Sequence, residues 1–591
     1  MRVVIIDTGI DKNYIDERIV GGITITEGKT GYGVMEGYDD LIGHGTGTAD
    51  VILKNTKKAE LFEVRVYDEE LFISADKLTY ALEYINANLE FDLIQISSGV
   101  PAYSYELHNV IKKIVDEKKV SIISAFDNEG AMSYPAALKE VIGVDVAEGY
   151  ADKKEFDVID NNIIDLRGNN AYYRVPWGNG KRNIVKGSSF LVSCFTAMIA
   201  ELEPEDYTKK SIMEQLKKRA RKVYENTEEN GITAKQFVDG IEKAIIFPFN
   251  KEIHSIAAYE DMLSFEVKAY YDIKHKFLIG KKVCEVLKYT ENTHVIENYE
   301  NIEWDGDFDT VILGHVGEIN KILKRNLLAE IIEKCLSHNK RLYLFDDLSF
   351  YTKDYINTEK VYCPMIKDNR DLMYNGGKLR VTNKPVLAVM GTSSKQGKFT
   401  IQLEVMRELK KRGVNVDGIG SEPTSVFFGY SQMFPFGYGS NNTCSARTIV
   451  RLLNDMVWEL ESKDVDLILT GCQSGTIAYD LRNERLLPVE QYHYLLGTNP
   501  DGVILCVNEI DEIEYVRRTI NFIESAVTAK VIAIVLSETH NMHSYSVLGN
   551  EMLVEERLSV ECLEKEFGRP VFSLFSLNVE LLGKVILEYY S

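Results

Sequence analysis

Short runs of β-branched and aliphatic residues alternate with amphipathic stretches along nearly the whole chain. Residues 3–6, 93–96, 120–123 and 141–146 are rich in β-branched and aliphatic residues, the pattern of strands covered on both faces of a sheet. Between them, 74–88 and 105–118 carry apolar residues at helical spacing. Such alternation predicts α/β domains built on parallel sheets. The polar, turn-rich stretch 225–231 (ENTEENG) interrupts the pattern; a helix predicted to end near Ala244 follows, and 244–248 opens a second unit as a strand. Further strands are expected near 309–313 and 341–345. A glycine-containing break at 374–378 precedes the strand 386–390. The resulting division is 1–241, 242–380 and 381–591.

A chain of 591 residues is too long for one ordinary domain, and 45% hydrophobic content lets each part bury a core. Asp and Glu number 90 against 68 Lys and Arg, a net charge of -22. That surface opposes nucleic-acid phosphates and anionic lipid, and it suits a basic or neutral peptide. No stretch reaches the ~20 apolar residues of a bilayer span. The opening residues read as a buried strand rather than a secretory leader, so the expected compartment is the cytoplasm. Eight scattered cysteines without a CxxC pair predict neither a disulfide framework nor a metal site. Oligomeric state is left open.

Four separated segments carry one chemistry. A strand ends at Asp7; a glycine-flanked turn holds His44; Asn128 follows another strand; and Ser189 lies in Gly187-Ser188-Ser189-Phe190, ahead of an apolar helix over 191–200. A serine hydroxyl becomes a nucleophile when an imidazole takes its proton, and a buried carboxylate holds that imidazole in the useful tautomer. A side-chain amide then meets the developing oxyanion. The order Asp, His, Ser differs from that of chymotrypsin and the α/β-hydrolases.

On these motifs residues 1–241 resemble a compact subtilisin-like serine peptidase. The resemblance implies that Asp7 orients, His44 is general base and acid, Ser189 attacks and Asn128 completes the oxyanion hole. It also implies that Ser97, Ser98 and Gly99 pair with extended substrate as an added strand, and that Tyr134-Pro135-Ala136 helps shape the cleft. Ser188 is the alternative nucleophile. The chain departs from the family at Asp127, in place of a glycine, which would narrow or acidify the pocket. It departs again at Ser193, in place of a proline, and at Cys194.

Strand 386–390, the loop Gly391-Thr392-Ser393-Ser394-Lys395-Gln396-Gly397-Lys398-Phe399-Thr400 and a helix over 401–412 form an anion cradle in sequence. Gly391, Thr392, Ser393, Ser394, Gly397, Lys398 and Thr400 are the expected phosphate-binding residues, with Lys398 as the point charge. One extra residue separates the glycines relative to a Walker A loop, as in dethiobiotin-synthetase-like P-loop proteins, and Phe399 stands where a magnesium-binding Ser or Thr is usual. Gln473, at the carboxyl end of a strand within 464–475, is the candidate second contact; Asp464 and Asp466 precede that strand and read equally as turn carboxylates. Asn508-Glu509-Ile510-Asp511 lacks the lysine of a guanine-reading motif and reads as a plain loop.

From residue 242 onward the chain resembles bacterial peptide-maturation proteins encoded with ribosomally made, modified peptides such as bacteriocins; IFPFNKE, GTSSKQGKFT, SEPTSVFFG and FPFGYGS carry the likeness. That family is similar to P-loop proteins that include amino-acid N-acyltransferases. The resemblance implies a small Rossmann-like domain at 242–380, whose default role is packing, and a P-loop NTPase-like domain after it. The cofactor expected at the loop is ATP, another phosphate-bearing nucleotide or acyl-coenzyme A, with magnesium as an optional companion; proteolysis needs none. The expected function is cytoplasmic endopeptidase processing of a precursor peptide, alongside other peptide-maturation enzymes, with the P-loop half recruiting, gating or modifying the substrate. The alternatives are an acyltransferase or ATP-dependent ligase with proteolysis secondary, and a non-catalytic leader-peptide scaffold.

Overall fold

A computed structural model describes residues 1–591 except 30, 69, 161–162, 179, 203, 226–232, 274–276, 347–357, 367–376, 436–443, 483–486 and 539–556. Most of the 225–231 and 374–378 breaks and of the FPFGYGS loop therefore lies outside the described residues. The chain groups into two compact units, 1–228 with 369–380, and 229–368 with 381–591. The sections expected as second and third domains thus share one unit, and a short later stretch groups with the first.

The first unit is built on ten strands: β1 (Arg2–Asp7), β2 (Ile19–Gly28), β3 (Gly31–Glu36), β4 (Glu60–Arg65), β5 (Leu93–Ile96), β6 (Ser121–Ala125), β7 (Ile142–Ala147), β8 (Phe156–Asp160), β9 (Leu166–Asn169) and β12 (Lys222–Glu225). Their order is β12-β8-β9-β7-β6-β5-β1-β4-β2-β3. All neighbours are parallel except β2 with β3 and β8 with β9. A separate hairpin pairs β10 (Tyr173–Pro176) with β11 (Arg182–Val185).

Helices cover both faces, which is why the central strands are buried along most of their length. On one face lie α1 (His44–Asn55) and α4 (Ser188–Leu202). Ala49, Ala197 and Ala200 are buried in one cluster with Val3, Ile5 and Leu61, their small side chains fitting the helices closely to the sheet. On the other face α2 (Ala75–Asn88) and α3 (Tyr105–Lys118) bury Leu78, Leu82, Ile85, Leu107, Ile111 and Ile114 against Ile94, Ile96 and Ile122. Each buried Leu or Ile contributes about 1.5–3 kcal/mol of transfer free energy. Ser74 and Ser104 cap α2 and α3 by accepting from Lys77 and Leu107 amides.

The second unit holds two all-parallel sheets. The first is β13 (Lys243–Phe247), β14 (Glu266–Asp272), β15 (Ile296–Asn298), β16 (Thr310–Leu313), β17 (Arg341–Leu344) and β18 (Val361–Tyr362), ordered β15-β14-β13-β16-β17-β18. That is the doubly wound Rossmann order, which reverses between β13 and β16. The second is β19 (Val386–Gly391), β20 (Val416–Gly420), β21 (Gln432–Met433), β22 (Leu467–Gly471), β23 (Gly502–Asn508), β24 (Lys530–Ser537) and β25 (Val571–Ser573), ordered β21-β20-β22-β19-β23-β24-β25.

Three helix boundaries differ from the sequence expectation. The helix placed up to Ala244 runs Ala234–Asp239, because Gly240 ends it and Lys243 already begins β13. α4 starts at Ser188 rather than at 191, so Ser189 sits in its first turn. The helix after the phosphate loop starts at Lys398 rather than 401.

Candidate functional site

In the first unit the carboxyl ends of β1, β5 and β6 lie side by side at the centre of the sheet. There open α/β sheets gather their chemistry. Asp7 is the last residue of β1, His44 the first of α1, and Ser189 the second of α4. His44 Nδ1 lies 2.7 Å from Asp7 Oδ1, and His44 Nε2 lies 3.1 Å from Ser189 Oγ. The second carboxylate oxygen of Asp7 accepts from Thr48 Oγ1 at 3.0 Å, and the first also accepts from the Thr8 amide at 2.8 Å. Asp7 is 1% exposed, so protein groups rather than water solvate it.

Burial alone would push the Asp7 carboxyl up, but the charge and hydrogen bond of His44 and the Thr8 amide outweigh it and hold it below the usual carboxylate value. Burial would likewise lower His44, but Asp7, with a smaller contribution from Asp40, holds the imidazole above its ordinary value. Both directions describe a carboxylate prepared for an imidazolium.

The loop that presents His44 is fixed by Asp40. Its carboxylate accepts from the Ile42 and Gly43 amides at 2.9 and 2.7 Å, from Thr8 Oγ1 at 2.9 Å, and from the amide and hydroxyl of Thr46 at 2.9 and 2.7 Å. These bonds satisfy amides at and before the first turn of α1.

Asn128 is exposed, and its Oδ1 accepts from the Ser188 amide at 2.9 Å, which leaves Nδ2 as the donor for an oxyanion. Gly187 permits this approach: its φ is 131°, and a Cβ there would lie 2.8 Å from Asn128 Oδ1. The Ser188 hydroxyl donates to Phe126 O at 2.5 Å and is buried, so Ser189 is the serine that faces the imidazole. The Asp127 carboxylate turns back onto its own loop, accepting from the Glu129 and Ala131 amides at 2.9 and 3.4 Å.

Ser97, Ser98 and Gly99 follow β5 at the same end of the sheet. Ser97 is buried and helps hold the Asp7 carboxyl down, an inward role that the strand resemblance does not suggest. Gln95 Nε2 bridges Ser97 Oγ at 3.1 Å and Ser193 Oγ at 3.0 Å, and Ser193 Oγ donates to Ser189 O at 3.2 Å. Ser193, a departure from the family, thus ties the helix that carries Ser189 to β5. Ser98 accepts from the Tyr67 hydroxyl. Gly99 lies against Ser133 and Tyr134, and Val100 exchanges backbone hydrogen bonds with Tyr134 at 2.8 and 2.9 Å.

Sequence reasoning missed Thr8, Asp40, Thr46, Thr48 and Gln95. Thr48 carried a signal, since i and i+4 share a helix face with His44; Asp40 carried none. It also missed Glu63, fully buried on β4, whose Oε1 accepts from the Gly9 amide at 3.1 Å. Burial first, then the charges of Asp7 and Asp40, push this carboxyl well above its usual value.

In the second unit Gly391 ends β19, and Thr392–Gly397 turns into the helix Lys398–Lys411. A Cβ on Gly391 would lie 2.5 Å from Gln396 Oε1, so the Gln396 amide packs closely against the bare backbone there. Lys398 Nζ donates to Ser393 O at 2.6 Å, and burial lowers its pKa. Asn508 Nδ2 donates to Ser393 Oγ at 2.8 Å, while Asp511 accepts from Thr392 Oγ1 and, at 2.8 Å, from the Asn508 amide. The segment read as a plain loop is therefore a brace for the phosphate loop. Ser394 lies within that loop, and Gln473, just past β22, donates to Ser421 O at 3.1 Å. Asp464 and Asp466 sit at the opposite end of β22, where Asp466 accepts from the Asn415 amide at 2.8 Å.

A phosphate fits this loop: the turn is closed by glycine, a 14-residue helix begins at its end, and an ammonium group lies over it. Magnesium has no equivalent support. Phe399 packs against Phe428 with ring centroids 5.8 Å apart.

The Rossmann-ordered section carries polar groups at its own carboxyl edge. After β16, His315 Nδ1 lies 2.7 Å from Asp346 Oδ1 beyond β17, and Asp346 Oδ2 accepts from the Val316 amide at 2.8 Å.

Comparison with known proteins agrees with both halves. Over 178 residues the chain is 26% identical to subtilisin NAT of Bacillus subtilis subsp. natto, covering 28% of this chain and 45% of the relative. Subtilisin E of Bacillus subtilis strain 168 is 28% identical over 171 residues, covering 26% and 43%. The N-terminal part is subtilisin-like. The chain spans less than half the length of those two relatives. Residues 373–581 match the P-loop domain described as a domain of unknown function (DUF1611_C). Among solved structures, a cold-adapted subtilisin-like serine proteinase aligns with a TM-score of 0.31 at 18% identity, covering 39% of this chain and 84% of that one. A DUF1611 family protein from Anabaena variabilis aligns with a TM-score of 0.42 at 11% identity, covering 59% and 99%. By the curated relatives and the family match, the chain joins a subtilisin-like N-terminal part to a C-terminal DUF1611 P-loop domain.

Proposed function

We propose that the protein is a serine endopeptidase that cuts a ribosomally made precursor peptide in the cytoplasm, working with other peptide-maturation enzymes. The observation that carries the peptidase reading is the hydrogen-bonded line Asp7–His44–Ser189, with Nδ1 and Nε2 engaged at 2.7 and 3.1 Å. Ser189 Oγ attacks the scissile carbonyl carbon while His44 Nε2 takes its proton. Asp7 stabilises the imidazolium, and Asn128 Nδ2 donates to the new oxyanion. His44 returns the proton to the leaving amine, then deprotonates the water that releases the acyl chain from Ser189. The net charge of -22 favours a basic or neutral peptide over an acidic one. Among the described residues no helix is long and apolar enough to cross a membrane.

In this reading the P-loop half holds a phosphate-bearing ligand on Lys398 and the Gly391–Gly397 loop, to recruit, gate or modify the same peptide. The test is mass spectrometry of small peptides, encoded beside this gene, after incubation with purified protein. Cleavage that disappears in Ser189→Ala supports the proposal. Uncut peptide, or cutting unchanged in the variant, refutes it.

A second reading, an acyl transfer or ligation centred on the P-loop with proteolysis secondary, draws on one observation: Phe399 packs into an apolar contact where a hydrolytic site would place a magnesium ligand. Calorimetric titration with ATP, GTP and acyl-coenzyme A separates the two, since preferential acyl-coenzyme A binding favours transfer.

A further inference from the structure

Lys378 stands 189 positions after Ser189 in the chain, yet belongs to the first compact unit. Its side chain is 1% exposed, and its Nζ lies 3.2 Å from Asp145 Oδ2 on β7. The same ammonium sits over the Phe126 ring, 4.9 Å from the centroid. On β7 the ring also meets Gly143, where a Cβ would lie 2.9 Å from Phe126 Cε2. The Phe126 ring is thus held by a bare stretch of β7 and by a lysine that β7 anchors.

Phe126 is the residue from which the oxyanion segment leaves the sheet. Its amide donates to Val144 O at 2.9 Å, and its carbonyl accepts from Ser188 Oγ at 2.5 Å. Two residues on, Asn128 Oδ1 accepts from the Ser188 amide at 2.9 Å. A shift of Phe126 therefore moves the amide donor and the first turn of α4 together.

We infer that Lys378 is a positioning residue of the peptidase, which clamps Phe126 and thereby holds Asn128 at the oxyanion. This rests on the peptidase reading above. It makes residues 1–241 an incomplete catalytic unit, because one of the groups that set its geometry comes from beyond 136 intervening residues. Misplacement of a reacting group by about 1 Å costs up to about a hundredfold in rate. A clamp acting one step removed should account for about tenfold.

The test uses the full chain and a fluorophosphonate probe, whose attack by Ser189 builds negative charge on oxygen as acyl transfer does. Rates are normalised to the folded fraction by near-ultraviolet circular dichroism. Lys378→Met should lower the maximal labelling rate about tenfold with the half-saturating probe concentration within about twofold. Lys378→Arg, which keeps charge and ring contact, should recover most of the rate. If the Met variant does not fold, Phe126→Leu with Lys378 intact should show the same rate defect. Folded Lys378→Met labelling at the wild-type rate, or Phe126→Leu doing so, overturns the inference while leaving the peptidase standing. Wild-type protein that does not label at Ser189 removes the peptidase reading itself, and this inference with it.

Discussion

Thr48→Val is the sharpest probe of how the triad is held. Valine keeps the shape of threonine and removes only the hydroxyl that donates to Asp7 Oδ2 and Gly45 O, both at 3.0 Å. Thr48 is fully buried and Asp7 is 1% exposed, so no bulk water replaces the lost donor. A hydrogen bond to a charged group contributes about 1.5–3 kcal/mol. The Asp7 charge matters most when His44 becomes a cation, so much of that loss should appear in the transition state. At about 1.4 kcal/mol per tenfold, the rate of Ser189 labelling or peptide cleavage should fall roughly ten- to a hundredfold. Any part expressed in the ground state should lower the melting temperature of the peptidase unit by about 2–4 °C per kcal/mol. Parallel labelling kinetics and thermal melts read the two shares. A variant equal to wild type in both would show that Thr48 does not support Asp7, and the hydrogen-bond account of the triad would fail at its innermost contact.

The pH profile follows from the same pair. Catalysis needs neutral His44, which burial lowers but Asp7 and Asp40 raise on balance, so the acid limb of kcat/KM should lie above the ordinary imidazole value of about 6.5. The stabilising contribution of His44 is complete below about 6.5 and is lost as pH rises through its raised folded value; that of Asp7 is complete above about 3.9 and is lost as pH falls through its lowered one. Glu63, whose carboxyl is pushed well above its usual value by burial and then by Asp7 and Asp40, works in the same direction as His44: its ionisation on unfolding erodes stability as pH climbs above about 4.3. Glu63→Gln should therefore melt near the wild-type temperature at pH 4 and above it at pH 7.5; the reverse order would place a charged Glu63 in the core. Lys398→Met should abolish calorimetric binding of inorganic pyrophosphate, while Ser189→Ala leaves it intact; retained binding in the lysine variant would move the phosphate site elsewhere.

What the sequence made legible divides along physical lines. Each catalytic group of the first unit sits at a strand or helix end beside a glycine or in a short motif, because turn geometry and close approach constrain several neighbouring residues at once. Gly187 beside Asn128 is one case. Residues that hold those groups leave no such trace. Asp40 collects five hydrogen bonds from a loop with no periodicity, and Gln95 looks like an interruption in an apolar strand until its amide is seen joining Ser97 to Ser193. Glu63 lies in ELFEVR, which has polar residues on both strand faces, so nothing in sequence marks it as the fully buried one.

Lys378 marks where reading by segments stops working altogether. A polar residue in a glycine-containing break has every local reason to be solvated, and a domain boundary drawn beside it follows from composition. Its burial arises from Asp145 and Phe126, which lie more than two hundred positions earlier. A charge leaves water at a cost of several kcal/mol and stays buried only where a partner and a fitting surface already exist. The pairing of Lys378 with Asp145 is thus information held by the fold of the first unit and by the path of the chain back to it. If the two variants at Lys378 behave as expected, the shortest active peptidase will extend to residue 380, and chains ended near 241 will label slowly however well they fold.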